Sequence, residues 1–91
     1  MAAFMITYDL NKKGKDYEGV YEGIKESASA YCHYWDSTWL IKSNLSVSEV
    51  TDKIKPHLDG DDRCIVIEVI KNYQGWMTEE QWKFIRENIF A

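Results

Sequence analysis

Four segments of the chain carry the hydrophobic pattern of β-strands. In the first, every second residue from Phe4 to Tyr8 is bulky and apolar, and the alternate set ends at Asp9. A gap of only two residues separates the middle segments, which favours a hairpin with a tight turn. The last segment is rich in β-branched residues. The predicted strands are Ala2–Leu10, Tyr31–Trp35, Thr38–Lys42 and Arg63–Ile70.

Three other segments repeat their apolar residues at helical spacing. After a predicted loop at residues 11–14, the repeat predicts a helix from Asp16. An S-x-x-E capping box at Ser46 predicts a second helix that runs towards Pro56, and a similar start at Thr78 predicts a short third helix. Gly23 weakens the first helix by up to about 1 kcal/mol relative to alanine, so we expect that helix to pack closely on the sheet there.

The order of these elements predicts one α+β domain over residues 1–91. Right-handed crossovers are satisfied by a ferredoxin-like βαββαβ sandwich with an antiparallel sheet in the order 4-1-3-2, followed by a C-terminal helix. The first two helices then cover one face of the sheet. Either a partner subunit or the third helix would cover the other face, and the sequence leaves both alternatives open.

Composition and charge limit the classes of partner. The chain is 45% hydrophobic and 14% aromatic, and a domain of this size buries only about 60 to 65% of its unfolded surface on its own, so we expect a homodimer. The net charge of −4 gives no overall basic field, so any contact with RNA or DNA is local. The lysines that come nearest to a basic patch are typical of a solvated loop: Lys12, Lys13 and Lys15.

Cysteine spacing and hydropathy exclude further classes. Cys32 and Cys64 lack the spacing of a structural zinc site, so we expect buried thiols. No apolar run reaches the roughly 20 residues that cross a bilayer. The expected location is therefore cytoplasmic, with no membrane contact.

Acidic residues collect at one edge of the predicted sheet, where the first strand ends, the hairpin turns and the fourth strand begins. Their oxygens suit Mg²⁺ or Mn²⁺, although acidic residues in turns also cap local backbone. Asp9 is the main candidate because it ends a core strand. Glu68 lies roughly 13 Å from it along the strands, so the two do not share an ion within one subunit. The acidic residues at this edge are Asp9, Asp36, Asp59, Asp61 and Asp62.

Other chemical signatures are weak or absent. No GxSxG, HExxH, P-loop or GxGxxG motif occurs. His33 is typical of a packed strand histidine, although a general acid or base role is the alternative. In the segment NYQGW we expect Gly75 to allow a reversal of the chain and Trp76 to anchor the third helix onto the sheet.

Three stretches carry a resemblance to a known family: MITYDLNKKGKDYEGVYEGIK, YWDSTWLI and DDRCIVIEVIKNYQGW. They resemble the SinR-like proteins, which are similar to the small CRISPR adaptation subunit and to the virulence-associated protein D ribonucleases. The resemblance implies a CRISPR-associated type of ferredoxin-like homodimer. It also implies that Asp9, in TYDL, is a catalytic residue and Mg²⁺ ligand for phosphodiester cleavage at the dimer interface.

Two functions therefore stay open. The first is a metal-dependent nuclease, or an inactive relative, that acts on RNA or DNA through Asp9 and Mg²⁺ or Mn²⁺. The second is a non-enzymatic dimeric binding module, such as an adaptor, an inhibitor or a nucleotide binder. The acidic charge and the surplus of aromatic residues favour the second.

Overall fold

The chain forms a four-stranded sheet and three helices. The computed structural model describes residues 1–10 and 17–91; the predicted loop, the three lysines and the predicted helix start at Asp16 lie outside those ranges. The strands are β1 (Ala2–Asp9), β2 (Ala30–Trp35), β3 (Thr38–Ser43) and β4 (Arg63–Val69). The helices are α1 (Tyr17–Ser27), α2 (Val47–Ile54) and α3 (Glu79–Phe84), with a 3₁₀ turn (Lys55–His57) after α2 and a π-helical turn (Ile85–Ile89) after α3.

The sheet confirms the predicted strand order and directions. Its order is β2-β3-β1-β4, and all three neighbouring pairs are antiparallel. β1 is a central strand, and its Thr7 lies opposite both Thr38 of β3 and Ile65 of β4. The architecture is therefore a small mixed α+β fold.

The main core lies between the sheet and helices α1 and α2. Each large aliphatic or aromatic side chain buried there contributes about 1.5 to 3 kcal/mol relative to exposure, so this layer holds most of the hydrophobic stabilisation. The buried residues come alternately from the strands and at helical spacing from α1 and α2, as the sequence pattern predicts: Phe4, Ile6, Tyr8, Val20, Ile24, Trp39, Ile41, Val50 and Ile54.

Capping boxes start α2 and α3 where the sequence predicts. The Ser46 hydroxyl accepts a hydrogen bond from the Glu49 amide at 3.1 Å, and the Glu49 carboxylate accepts one from the Ser46 amide at 3.0 Å. Thr78 and Gln81 make the same exchange, with both distances at 3.1 Å. Within the described part of the chain, no helix combines the length and apolar character needed to span a membrane.

The C-terminal helix folds back over the second face of the sheet. Ile85 and Ile89 are buried there against Ala3 of β1 and Cys32 of β2. The amide of Phe90 donates to the carbonyl of Ile85 at 3.1 Å, which closes the π-helical turn. Of the two covers that the sequence leaves open for this face, α3 and its π-helical turn therefore supply one, over part of the surface.

Gly23 serves a different contact from the one expected. A methyl group at this position would clash with the carbonyl oxygen of Lys53 in α2. The close approach is therefore between α1 and α2 rather than between α1 and the sheet. The carbonyl of Gly23 also accepts a hydrogen bond from the Ser27 hydroxyl at 2.8 Å.

The Gly23→Ala substitution should destabilise the fold by about 1 to 3 kcal/mol, because the added methyl group forces the two helices apart. Gly60→Ala is the matched control, since no atom of the described residues lies within 4 Å of its added carbon. We expect the control to change the free energy of unfolding by about 1 kcal/mol or less. Urea unfolding followed by circular dichroism measures both variants, and equal stability of the two would contradict the helix contact.

Candidate functional site

On the sheet face opposite α1 and α2, the side chains of neighbouring strands form rows that run across the sheet, because directly opposed residues on antiparallel strands share a face. α3 and its π-helical turn cover the row that contains Ala3, whereas the row that contains Thr7 stays uncovered. The uncovered surface, here named the open face, consists of Met5, Thr7, Trp35, Thr38, Ile65 and Ile67.

Asp9 lies on this same face, at the C-terminal end of β1. It is exposed, continues the alternation of Met5 and Thr7 along β1, and pairs with Arg63 of β4. The structure thus places the candidate carboxylate beside an apolar surface and opposite a cationic residue. The sequence predicts this position, because it places Asp9 at the end of the first strand.

The neighbour of Asp9 fixes the end of β1. The Tyr8 amide donates to the carbonyl of Ser37 at 3.1 Å, and its hydroxyl accepts from the Trp39 indole at 3.1 Å. The same hydroxyl donates to the carbonyl of Asp36 at 3.4 Å. Burial raises the pKa of the Tyr8 hydroxyl well above its usual range, so it stays protonated and able to donate. Asp9 therefore projects from a rigidly held strand end.

Two of the remaining aspartates of this edge, Asp59 and Asp62, cap local backbone with their carboxylates. The carboxylate of buried Asp62 accepts from the Asp59 amide at 3.0 Å, and that of Asp59 accepts from the Asp61 amide at 3.0 Å. Arg63 donates to the carbonyls of Gly60 and Asp62 at 3.0 and 2.8 Å, which holds the turn against β4.

The aspartates described at this edge are not arranged as a metal cluster. Among the described residues, no group of three or more His, Cys, Asp or Glu side chains is arranged to hold an ion. Glu68 pairs with Phe4, at the other end of β1 and on the other face of the sheet. This position separates Glu68 from Asp9, so a metal ion at Asp9 would need ligands from outside this set.

The side chains of His33, Cys32 and Cys64 pack against neighbouring residues. The imidazole of His33 stacks on Trp39 with ring centroids 4.1 Å apart, and its Nε2 lies 3.1 Å from the carbonyl oxygen of Asp36. Burial raises the pKa of the Cys32 thiol to about 11, and it also raises that of Cys64. Cys32 is buried and Cys64 is half-buried, and protonated thiols are poor nucleophiles.

A large apolar groove adjoins the open face. Its volume is about 970 Å³, within the range of ligand pockets. The sheet supplies one wall and the extended residues 70–77 with the C-terminal helix supply the other. We call it the apolar groove; its main lining side chains are Met5, Trp35, Leu40, Ile70, Tyr73 and Trp82.

Trp76, in the NYQGW segment, does not take the packed position that the sequence predicts. Trp76 is 100% exposed and does not anchor the helix. Tyr73 does so instead, stacking on Trp82 and Phe90 at 5.7 and 4.8 Å between ring centroids. Gly75 lies next to Trp82, since a carbon added at Gly75 would be 3.5 Å from the ring, an ordinary van der Waals distance.

Sequence reasoning missed the apolar groove. Its walls come from segments up to some 80 residues apart along the chain, from Met5 to Phe90, and local patterns do not report such contacts. One signal was present: three aromatic residues, Tyr73, Trp76 and Trp82, fall within ten positions near the end of the chain.

Comparison with protein-family models, with curated proteins and with solved structures gives no match. The class that the fold defines is a small α+β domain with a four-stranded antiparallel sheet. Its function must follow from the chemistry of the open face, Asp9 and the apolar groove.

The raised pKa of Cys32 predicts a pH dependence of stability. The folded state keeps the thiol proton up to about pH 11, whereas an unfolded cysteine loses it near 8.5. The contribution of this thiol to the free energy of unfolding is therefore present in full below the pKa of the unfolded state, and it is lost as the pH rises towards 11. The free energy of unfolding, measured in urea from pH 8 to pH 11, should fall less steeply for Cys32→Ala than for the wild type; parallel curves would contradict the assignment.

Proposed function

We propose that the chain is a homodimeric binding module of the ferredoxin-like type, whose two subunits join through the open face. The β-α-β-β-α-β order and the strand order of the sheet support the ferredoxin-like assignment. The observation that carries the dimer is the exposure of Ile65 and Ile67 on β4 and of Trp35 on β2, all on the same face of the sheet.

Contiguous apolar surface of this kind is uncommon on monomers and marks interaction sites. Ile65 and Ile67 are 52% and 40% exposed, although they lie on a strand whose other face is packed against the main core. Ile67 lies beside Met5 on β1, and Met5 lies beside Leu40 on β3, so one apolar row runs from β4 to β3. The neighbouring row carries Thr7 and Thr38 between Ile65 and Trp35, and the hydroxyls of the two threonines are hydrogen-bonded at 3.1 Å. A second copy covers this surface most simply, because a symmetric contact uses one patch twice.

The Ile67→Asp substitution should turn the dimer into a monomer, because it places a charge in the centre of the interface without a partner. Val47→Asp is the matched control: Val47 is also 40% exposed, but it lies on α2 on the other side of the sheet.

Light scattering at micromolar concentrations measures the mass of each variant. We expect twice the chain mass for the wild type and for Val47→Asp, and the single mass for Ile67→Asp. A monomeric wild type, or an Ile67→Asp variant that stays dimeric, would show that the open face is not a subunit interface.

A second candidate function is metal-dependent cleavage of RNA or DNA. The observation that favours it is the position of Asp9, exposed at the end of β1 on the same side as the open face. Two subunits joined there would each bring an Asp9 carboxylate to the interface, as the resemblance to the SinR-like and related proteins implies. Mg²⁺ or Mn²⁺ between them would activate water and screen the scissile phosphate.

Asp9→Asn should abolish this activity, because the amide keeps the shape of the side chain but loses the charge that holds the ion. Cleavage of labelled RNA and DNA with Mg²⁺ or Mn²⁺ should fall by roughly 100-fold or more, as when one electrostatic stabiliser of a transition state is removed. Asp52→Asn, exposed on α2, is the control and should cleave like the wild type.

Absence of cleavage by the wild type would contradict the nuclease function but would leave the dimeric binding module in place. Equal cleavage by the wild type and Asp9→Asn would point to a contaminating nuclease. Light scattering on the same samples separates loss of the dimer from loss of the metal ligand.

A further inference from the structure

The backbone on both sides of Trp76 is anchored, yet the Trp76 side chain is entirely exposed to solvent. Its chain neighbours are attached on both sides: Gly75 and Tyr73 pack on the ring of Trp82, and Met77 packs against the cluster under the C-terminal helix. Thr78 then caps α3. The residues around Trp76 are thus anchored, while its own side chain is 100% exposed.

An exposed tryptophan leaves a large apolar surface in water when the chain is a monomer, and burial of that surface stabilises an interface. Burying one aromatic side chain of this size removes about 150 to 250 Å² from water. Tryptophan is also among the residues that most often dominate binding energy. Because the backbone on both sides of Trp76 is anchored, binding has to order only the rotamer of its side chain.

The apolar groove offers a site of the right chemistry next to this side chain. Trp76 stands at its margin, and the lining is aromatic and aliphatic, with Trp82 and Ile85 at the base of one wall. The groove volume of about 970 Å³ is larger than that of an indole ring.

We propose that Trp76 of each subunit inserts into the apolar groove of a second copy of this chain, so that the dimer is held by two reciprocal tryptophan anchors. This inference rests on the proposed dimer and names the contact that stabilises it. The donor side chain and the receiving groove lie on one chain and adjoin each other, which is the self-complementarity that a two-fold contact requires.

The available apolar surface is of the size that a stable dimer needs. The exposed large side chains on and beside the open face present together on the order of 500 to 850 Å², taking about 150 to 250 Å² for a fully exposed one. Each partner in an interface of standard size hides about 800 Å². The side chains are Trp35, Ile65, Ile67, Ile70, Tyr73 and Trp76.

Trp76→Ala tests the anchor, with Tyr17→Ala as the control because Tyr17 is a partly exposed aromatic residue on α1. Sedimentation equilibrium measures the dimer dissociation constant. We expect an increase of roughly 100-fold or more for Trp76→Ala, since the variant removes two anchors per dimer, and little change for Tyr17→Ala. Circular dichroism should be unchanged, because the side chain makes no part of the core.

Fluorescence gives a second readout. The difference between wild-type and Trp76→Phe emission isolates Trp76, and it should be blue-shifted in the dimer. In the monomeric Ile67→Asp background the same difference should shift to the red, towards the emission of indole in water.

The outcomes separate the two proposals. If Trp76→Ala dimerises as tightly as the wild type while Ile67→Asp is monomeric, the dimer stands and the tryptophan anchor is overturned. A wild-type chain that is monomeric throughout overturns both.

Discussion

The antiparallel pairing of β1 with both β3 and β4 determines where every important side chain lies. Because β1 is central, its alternation assigns Phe4, Ile6 and Tyr8 to one layer and Met5, Thr7 and Asp9 to the other. A slip of one residue would exchange these two sets. The buried face, with its large aromatic and aliphatic side chains, is what makes the register unique.

The two faces of the sheet differ in how completely they are covered. Two helices close the first face and leave its central side chains buried. One short helix with a π-helical turn covers only part of the second. The open face, Asp9 and the apolar groove all lie where that cover ends, so the proposed interface, the candidate metal ligand and the tryptophan anchor share one side of the molecule.

Local signals predicted most of the fold. The strand ends at Trp35 and Thr38 and the helix caps at Ser46 and Thr78 lie where the sequence places them, because turns and caps are formed by neighbouring residues. β1 ends at Asp9, one residue before the predicted Leu10.

Contacts between distant segments could not be predicted in the same way. The neighbour of Gly23 is Lys53 of another helix, and the sequence pattern of α1 carries no information about it. Trp76 was expected to pack and Tyr73 packs instead, a choice decided by the direction in which residues 70–77 cross the sheet. The candidate site was predictable only at Asp9, since a strand end is local; its metal chemistry stays a prediction.

The irregular pairing of β2 has a consequence for the behaviour of the protein at high concentration. Between Cys32 and Trp35 the register with β3 shifts, so the outer strand is bent at its middle. A foreign strand that approached this margin would meet an interrupted row of amide and carbonyl groups. Such interruptions hinder the edge-to-edge growth from which fibrils and amorphous aggregates begin, so the register shift disfavours the pairing of a further strand with β2.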